Sequence, residues 1–144
     1  MRLRRTIRCA VAALWLQSCA LGPECTSPAG VRLYDSEWSC DTFNAVETAA
    51  LTELAGVGPF ERLRGYAVTE RAESSWQGLP DGGWVSGLAH CDYGILEVGR
   101  AAPSESAVPH EYAHALEACA DVDHVGWADA GIWAALERVA TRLR

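Results

Sequence analysis

The chain has 144 residues, of which 49% are hydrophobic, and it carries 12 basic against 19 acidic residues. This length suits one small globular domain with a single core and leaves no room for a second domain. The excess of acidic residues repels phosphate groups, which argues against nucleic acid and against an anionic lipid surface as a partner.

The first 18 residues have the pattern of a secretory signal peptide. Four arginines precede the apolar run "CAVAALWL", which is too short to be a permanent membrane-spanning helix. The next stretch, "LQSC", has a leucine three residues before Cys19 and the small Ser18 just before it. This arrangement resembles the lipobox of bacterial lipoproteins.

The lipobox resemblance implies that residues 1–18 are removed and that Cys19 becomes the lipidated first residue of an exported protein. Ala20, rather than an aspartate, follows this cysteine, which implies the outer membrane as its location in a Gram-negative cell. A free thiol after ordinary cleavage and an uncleaved anchor are the alternatives. Loss of the four arginines leaves eight basic against 19 acidic residues, a formal charge of −11.

Four cysteines follow Cys19, at positions 25, 40, 91 and 119. An even number of cysteines in an exported domain predicts disulfides, here two, for which three connectivities are possible. We favour the pairs Cys25–Cys40 and Cys91–Cys119. Zinc ligation by cysteine is the alternative, but the sequence has no CxxC pair.

Residues 19–30 are rich in Pro, Gly and Ser and predict a tether, so the folded domain is expected over 31–144. The stretch "VRLY" (31–34) is a strand candidate. A helix follows, capped by Ser39 or Asp41 and closed by two glycines. Its apolar positions at helical spacing are Phe43, Val46, Ala50 and Leu54.

The middle of the chain predicts strands. Residues 63–71 alternate between apolar and polar as a strand does, and residues 74–84 predict a turn-rich connection. Residues 84–99 hold two strand-like runs about Gly94, a pattern typical of a hairpin or a bulged strand.

The last third of the chain predicts two helices. Ser106 is the expected N-cap of the first, which runs from about 107 to 118, because it places Pro109 in the first turn, where no intrahelical bond is lost. The stretch "ADVDHVG" ends that helix. The second helix runs from about 128 to 143, and its apolar stripe is Ile132, Leu136, Val139 and Leu143.

The first of these helices carries "HEYAH", in which His110 and His114 are four residues apart. On a helix both imidazoles leave the same face about 6 Å apart, near enough to share one ion. Glu111 lies about 100° around the helix, so its carboxylate can reach a metal-bound water without entering the coordination shell. The spacing predicts two zinc ligands and a general base. Incidental histidines on a solvated helix face are the alternative.

Catalytic zinc usually has three protein ligands and one open position, so a third ligand is expected. His124 is the first choice, because the helix-ending loop before it could turn the chain back over the other two histidines. Asp121 and Asp123 could bind the ion directly or hold the imidazole of His124. Glu137 and Asp129 are the rival ligands, although each could be an ordinary carboxylate on a helix surface.

Three further polar residues need an interpretation. His90 lies on a strand candidate and is expected to be a surface or hydrogen-bonded histidine. Cys119 is nine residues past His110, about 180° around the helix, which favours a disulfide or core position over metal binding. Glu117 shares the helix face of His110, and either orients a ligand or is solvated.

The motif on a helix, after a helix and several strands and before a loop, a histidine and another helix, resembles the zincin metallopeptidases. The matching residues are His110, Glu111 and His114. The metzincin pattern HExxHxxGxxH is not followed, because Glu117 and Ala120 stand at its last two positions, and "AALERVA" does not reproduce the gluzincin motif. The nearest likeness is a small type of bacterial lipoprotein with HExxH, a more distant histidine and a tryptophan, here "HVGW".

The zincin resemblance implies a small α+β domain, in which a helix packs on a short mixed sheet and is followed by an active-site helix and a C-terminal helix. It implies a Zn²⁺-dependent peptidase that hydrolyses peptides or envelope proteins by a metal-activated water, with Glu111 as general base. The substrate is expected along an edge strand around 84–88 or 91–96. A monomer is expected, in contact with the membrane only through its lipid.

Two other functions are compatible with the sequence. One is a non-catalytic envelope lipoprotein that uses a metal-stabilised zincin scaffold to bind a partner, although such a site has no use for Glu111. The other is a disulfide-rich interaction domain that binds no metal.

Overall fold

The structure, a computed structural model, describes residues 22–144. The predicted signal peptide and the predicted lipidation site Cys19 lie outside the described residues. In chain order the helices and strands are β1 (Cys25–Thr26), β2 (Arg32–Tyr34), α1 (Cys40–Glu53), β3 (Ala67–Arg71), β4 (Trp76–Gln77), β5 (Trp84–Val85), β6 (Gly87–His90), β7 (Ile95–Gly99), α2 (Val108–Leu116) and α3 (Ile132–Arg142).

Five strands form a mixed sheet in the order β1-β2-β3-β7-β6. The three central strands are parallel, and the two edge strands β1 and β6 are antiparallel to their neighbours. Leu33 pairs with Val68, and Val68 with Leu96, so one buried row crosses the middle of the sheet. The predicted α+β architecture with a short mixed sheet is therefore confirmed.

Helix α1 shares the hydrophobic core with this row of the sheet. Ser39 is its N-cap, as predicted: its Oγ accepts a hydrogen bond from the Thr42 N–H at 3.1 Å. The alternative cap, Asp41, lies in the first turn, where its carboxylate faces the positive end of the helix. The four apolar residues predicted at helical spacing are all buried in the core: Phe43, Val46, Ala50 and Leu54.

Besides the end of α2, described below, three predicted segments differ from the structure. The strand expected from residue 63 begins at Ala67, because Phe60–Leu63 form a short 3-10 helix and Gly65 (φ +85°) then turns the chain. The predicted turn-rich connection contains a two-stranded hairpin, in which Trp76 pairs with Val85. Helix α3 begins four residues later than predicted.

The late start of α3 has a local cause. Gly131 adopts a left-handed conformation (φ +71°) that interrupts the helix, and its N–H bonds the Ala128 carbonyl at 3.1 Å to close a turn. Beyond this point Ile132, Ala135 and Val139 are buried. Helix α3 contacts α1 and α2, while Leu136 and Leu143 of the predicted stripe are only partly buried.

The two predicted disulfides have different outcomes. Cys91–Cys119 is present, with Cα atoms 6.2 Å apart, and joins the β6–β7 turn to the end of α2. Cys25 and Cys40 are free cysteines, so the second predicted disulfide is not formed. The Cys40 Sγ donates to the Glu24 carbonyl, while burial and the neighbouring Cys40 raise the pKa of Cys25 to about 12.

No helix within residues 22–144 combines the length and the hydrophobicity that a membrane crossing requires.

Candidate metal centre

Helix α2 places the two histidines of the motif on one face. The predicted N-cap Ser106 lies one residue before the observed N-cap, Ala107, but its Oγ accepts a hydrogen bond from the Val108 N–H at 3.1 Å. Pro109 lies in the first turn, where it removes no helical bond. The helix ends at Leu116, two residues earlier than predicted.

The chain reverses sharply after α2. Ala118 and Cys119 are both left-handed (φ +54°), and the Cys119 N–H returns to the His114 carbonyl at 2.8 Å. Asp121 then accepts the N–H groups of Val125 at 2.9 Å and Gly126 at 2.6 Å. These bonds shape a loop that carries the next histidine back toward the helix.

His124 closes the site. Its Nε2 lies 3.0 Å from the Nε2 of His110 and 2.9 Å from the Nε2 of His114. The three imidazoles are therefore close enough to bind one metal ion. Among the described residues no carboxylate joins this group, so the structure brings the predicted third ligand His124 to the pair, and not Glu137 or Asp129.

Two of the three donor rings are in the protonation state that a metal requires. Burial, together with the neighbouring histidines, lowers the pKa of His110 and of His114 from 6.5 to about 4. Both rings are therefore neutral near pH 7, and a neutral imidazole has a free lone pair. The Nδ1 of His114 is buried without a hydrogen-bond partner, which departs from the usual pattern in which this atom donates to an oxygen.

Two tryptophans enclose the three imidazoles. Trp127 is fully buried, and the centroid of its ring lies 4.8, 4.6 and 4.4 Å from those of His110, His114 and His124. Its Nε1 donates to the Glu117 carboxylate at 2.7 Å, which gives Glu117 the role of holding this indole. The centroid of the Trp133 ring lies 5.7 Å from that of His110, and this residue is 42% exposed.

Glu111 is the buried carboxylate of the site. Only 3% of the residue is exposed, and burial alone raises its pKa to about 8. Its carboxylate lies against Gly87 of the edge strand, where a Cβ would collide with it and with Ala107. Gly87 is thus required for this close approach, as glycine in a strand interior often is.

A cleft of about 1040 Å³ opens above these residues, between β6, α2 and α3. The edge strand that borders it is Gly87–His90, which overlaps the first predicted range, 84–88. The second range, 91–96, instead spans the β6–β7 turn and the start of the inner strand β7.

The other polar candidates are not part of the group of three imidazoles. The His90 Nε2 contacts the Glu97 carboxylate at 3.0 Å, as expected for a hydrogen-bonded histidine. Asp121 shapes the His124 loop through backbone N–H groups, whereas Asp123 is exposed and lines the cleft.

Sequence reasoning missed Gly87 and Trp133. The only signals were a glycine inside a strand pattern and an aromatic residue beside the α3 stripe.

Comparison with protein-family models, with curated proteins and with solved structures found no match to this chain. The resemblance to zincins therefore depends on the residues and the geometry described above.

Proposed function

We propose that the protein is a zinc-dependent metallopeptidase in which Glu111 is the general base. One observation carries this proposal: three imidazole Nε2 atoms converge at the floor of a cleft, beside a buried carboxylate and below a free strand edge. A structural metal site has no need of such a carboxylate, and a solvated helix face would not bury it.

The donor set suits zinc. Adjacent nitrogens in a tetrahedral complex with Zn–N bonds of about 2.0–2.1 Å are about 3.3 Å apart. The two Nε2 separations at His124, 3.0 and 2.9 Å, are near this value. A bound zinc ion lowers the pKa of a coordinated water toward neutrality and polarises a carbonyl beside it.

The remaining roles in peptide hydrolysis would belong to residues of this chain. In its ionised form, which a cation bound beside it would favour, Glu111 would accept the proton of the attacking water and pass it to the leaving amine. The lowered pKa values keep His110 and His114 neutral, the three imidazoles would hold the ion, and Trp127 contacts all three rings. The close approach at Gly87 brings the Glu111 carboxylate beneath the edge strand, where the scissile bond would lie.

Strand β6 supports the binding of an extended peptide. It is the outer strand of the sheet, so one side of its backbone is not paired within the sheet. A peptide that adds to this edge forms main-chain hydrogen bonds irrespective of its side chains. The substrate would then cross the cleft directly above the three imidazoles.

The deciding experiment compares Glu111→Gln with Glu61→Gln, a change at an exposed residue outside the cleft. Zinc-loaded wild type is expected to cleave members of a mixed peptide library, read by mass spectrometry. Glu111→Gln should retain stoichiometric zinc but lose about 100-fold or more in rate, because general base catalysis contributes that much. Glu61→Gln should behave as wild type.

Two outcomes would contradict the proposal. Undiminished cleavage by Glu111→Gln would show that this carboxylate is not the base. Absence of cleavage by a fully zinc-loaded wild type would favour the alternative, in which the cleft binds a partner without catalysis.

The lipobox resemblance adds a location to this proposal. Lipidation of Cys19 would tether the domain to the cell envelope, at the outer membrane of a Gram-negative cell. Incorporation of labelled fatty acid into wild type but not into Cys19→Ala is the expected result, and labelling of both would refute it.

A further inference from the structure

The cleft carries exposed negative charge. Three elements around it each contribute an exposed carboxylate: Glu105 precedes α2, Asp123 lies in the loop that carries His124, and Glu137 lies on α3. In the described part of the chain none of the three forms an ion pair with a basic side chain. Their charge is therefore available to a ligand.

No arginine lines the cleft, although residues 22–144 contain eight. Several of these arginines are paired on other surfaces. Arg100 contacts Glu37 at 3.1 Å and Glu70 at 3.0 Å, and Arg138 and Arg142 both contact Glu53. The protein thus leaves the cleft acidic while it neutralises carboxylates elsewhere.

The walls of the same cleft are apolar. Leu79 of the β4–β5 turn and Leu88 of the edge strand line one side, and Val122, Trp133 and Leu136 line the other. Leu79 is 42% exposed and Val122 61% exposed. Exposed apolar side chains grouped around a concave site favour an apolar ligand group.

The Glu111 carboxylate at the floor of the cleft is a separate indication that a ligand binds there. Glu111 is almost fully buried, lines the cleft, and has no hydrogen-bond donor among the described residues. Its oxygens are not among the fully enclosed side-chain atoms, so the carboxylate is open to a group that enters the cleft. The three imidazoles beside it make the cleft a place where a ligand meets an ion.

We infer that the substrates of this cleft are cationic amphipathic peptides, in which Arg or Lys residues flank a bulky apolar residue. This inference rests on the proposed function, because it concerns the same cleft. The apolar side chain enters between the two apolar walls, while the flanking cations face the three exposed carboxylates. The acidic surface of the rest of the protein draws such peptides in from solution.

Binding is measured separately from cleavage. Zinc-loaded Glu111→Gln protein is titrated into three fluorescent peptides of equal length that share one central Leu and have basic, neutral or acidic flanks. Fluorescence anisotropy should show at least about fivefold tighter binding of the basic peptide than of the neutral one, since each exposed charge contributes modestly. Added salt should reduce this difference. A fourth peptide, with basic flanks and Gly in place of Leu, should also bind more weakly.

A matched pair of double variants in this Glu111→Gln background tests the location of the charge. Glu105→Gln with Glu137→Gln removes two carboxylates from the cleft, and Glu61→Gln with Glu73→Gln removes two exposed ones outside it. Only the first pair should abolish most of the preference for the basic peptide. Asp123 is left unchanged because it is next to His124.

Equal binding of the three flanked peptides, absence of binding to all of them, or the same loss of preference in both double variants would overturn the inference. These results are distinguishable from failure of the proposed function, because the binding assay does not require hydrolysis. Wild-type protein that cleaves neutral peptides as fast as basic ones would uphold the peptidase and overturn the substrate class.

Discussion

Asp121 shows how one side chain can shape a metal site without belonging to it. Its two carboxylate oxygens accept the N–H groups of Val125 and Gly126, on either side of a turn that holds His124 in a left-handed conformation (φ +61°). Left-handed backbone is uncommon for residues other than glycine and needs support from its surroundings. Asp121 supplies that support through the neighbouring peptide groups.

Replacement of Asp121 by alanine should therefore weaken metal binding without unfolding the protein. We expect zinc affinity to fall by about 10–100-fold, the usual effect of losing a group that orients a ligand. Competition with a chromophoric chelator measures the affinity. Asp129→Ala is the control, because Asp129 is exposed and outside the metal group. Unchanged affinity in Asp121→Ala would refute the role of these hydrogen bonds.

The buried Glu111 makes the stability of the metal-free protein depend on pH. Its pKa is raised from 4.5 to about 8, so the folded state keeps a proton that the unfolded chain releases between these values. This group's contribution to the free energy of unfolding therefore falls as pH rises through that window. The lowered pKa values of His110 and His114 have the opposite effect, but only between about pH 4 and 6.5.

Between pH 6.5 and 8 only Glu111 of these three groups titrates. We expect the Tm of chelator-treated protein to fall across this interval, as measured by scanning calorimetry. The fall should be smaller in Glu111→Gln, whose amide does not ionise. An equal fall in both proteins would contradict the assignment.

The sequence predicts the residues of the site better than their arrangement. His110, Glu111 and His114 follow from helical spacing alone, which needs no tertiary information. The approach of His124 depends on the left-handed Ala118 and Cys119, and neither residue type signals such a turn. The choice between His124 and its carboxylate rivals therefore needed the structure.

Helix α2 is anchored on the side opposite His110 and His114. The Tyr112 hydroxyl donates to Glu47 of α1 at 2.8 Å, and the Ser27 hydroxyl donates to the same carboxylate oxygen at 2.6 Å. Tyr112, Glu47 and Ser27 are all buried, so these bonds are made in a region of low polarity. The network joins the helix of the metal centre to α1 and to the β1–β2 connection.

Loss of one donor from this network should destabilise the fold. Tyr112→Phe is expected to lower the free energy of unfolding by about 1–3 kcal/mol, because Glu47 stays buried with one hydrogen bond fewer. Urea denaturation gives the value. Tyr93→Phe, at a residue 79% exposed, should change it by no more than about 0.5 kcal/mol. Equal effects of the two substitutions would argue against the network.

Elements with a long periodic pattern were predictable, and short ones were not. Helix α1 has 14 residues, a capping serine and four apolar positions, and its prediction is confirmed. Strands β4 and β5 have two residues each, too few to show any alternation. The start of α3 was predicted too early because residues 128–130 have a composition typical of the helix. The left-handed Gly131 separates them from the first helical residue, Ile132.

At the scale of the whole molecule, a disulfide links the edge strand to helix α2. Cys91 follows β6, Cys119 follows α2, and the bond between them closes a loop with a sequence separation of 28. Cys119 also lines the cleft. The bond therefore connects the strand above the metal centre with the helix below it.

Removal of this disulfide should destabilise the protein by about 3–4 kcal/mol, from the loop entropy of the unfolded chain. The double variant Cys91→Ser with Cys119→Ser is compared with Cys25→Ser with Cys40→Ser, which changes the two cysteines that are free within residues 22–144. Denaturation by urea should separate the two pairs clearly. If the second pair destabilises the protein as much as the first, the stabilising role of the disulfide is refuted.

The contact of Trp127 with all three imidazoles has a practical consequence. A coloured or paramagnetic ion such as Co²⁺ or Cu²⁺, held by those rings, would sit within a few ångströms of this indole and of Trp133. Emission from an excited indole is quenched efficiently over such distances. The protein therefore contains its own optical reporter, and metal uptake can be followed without any label.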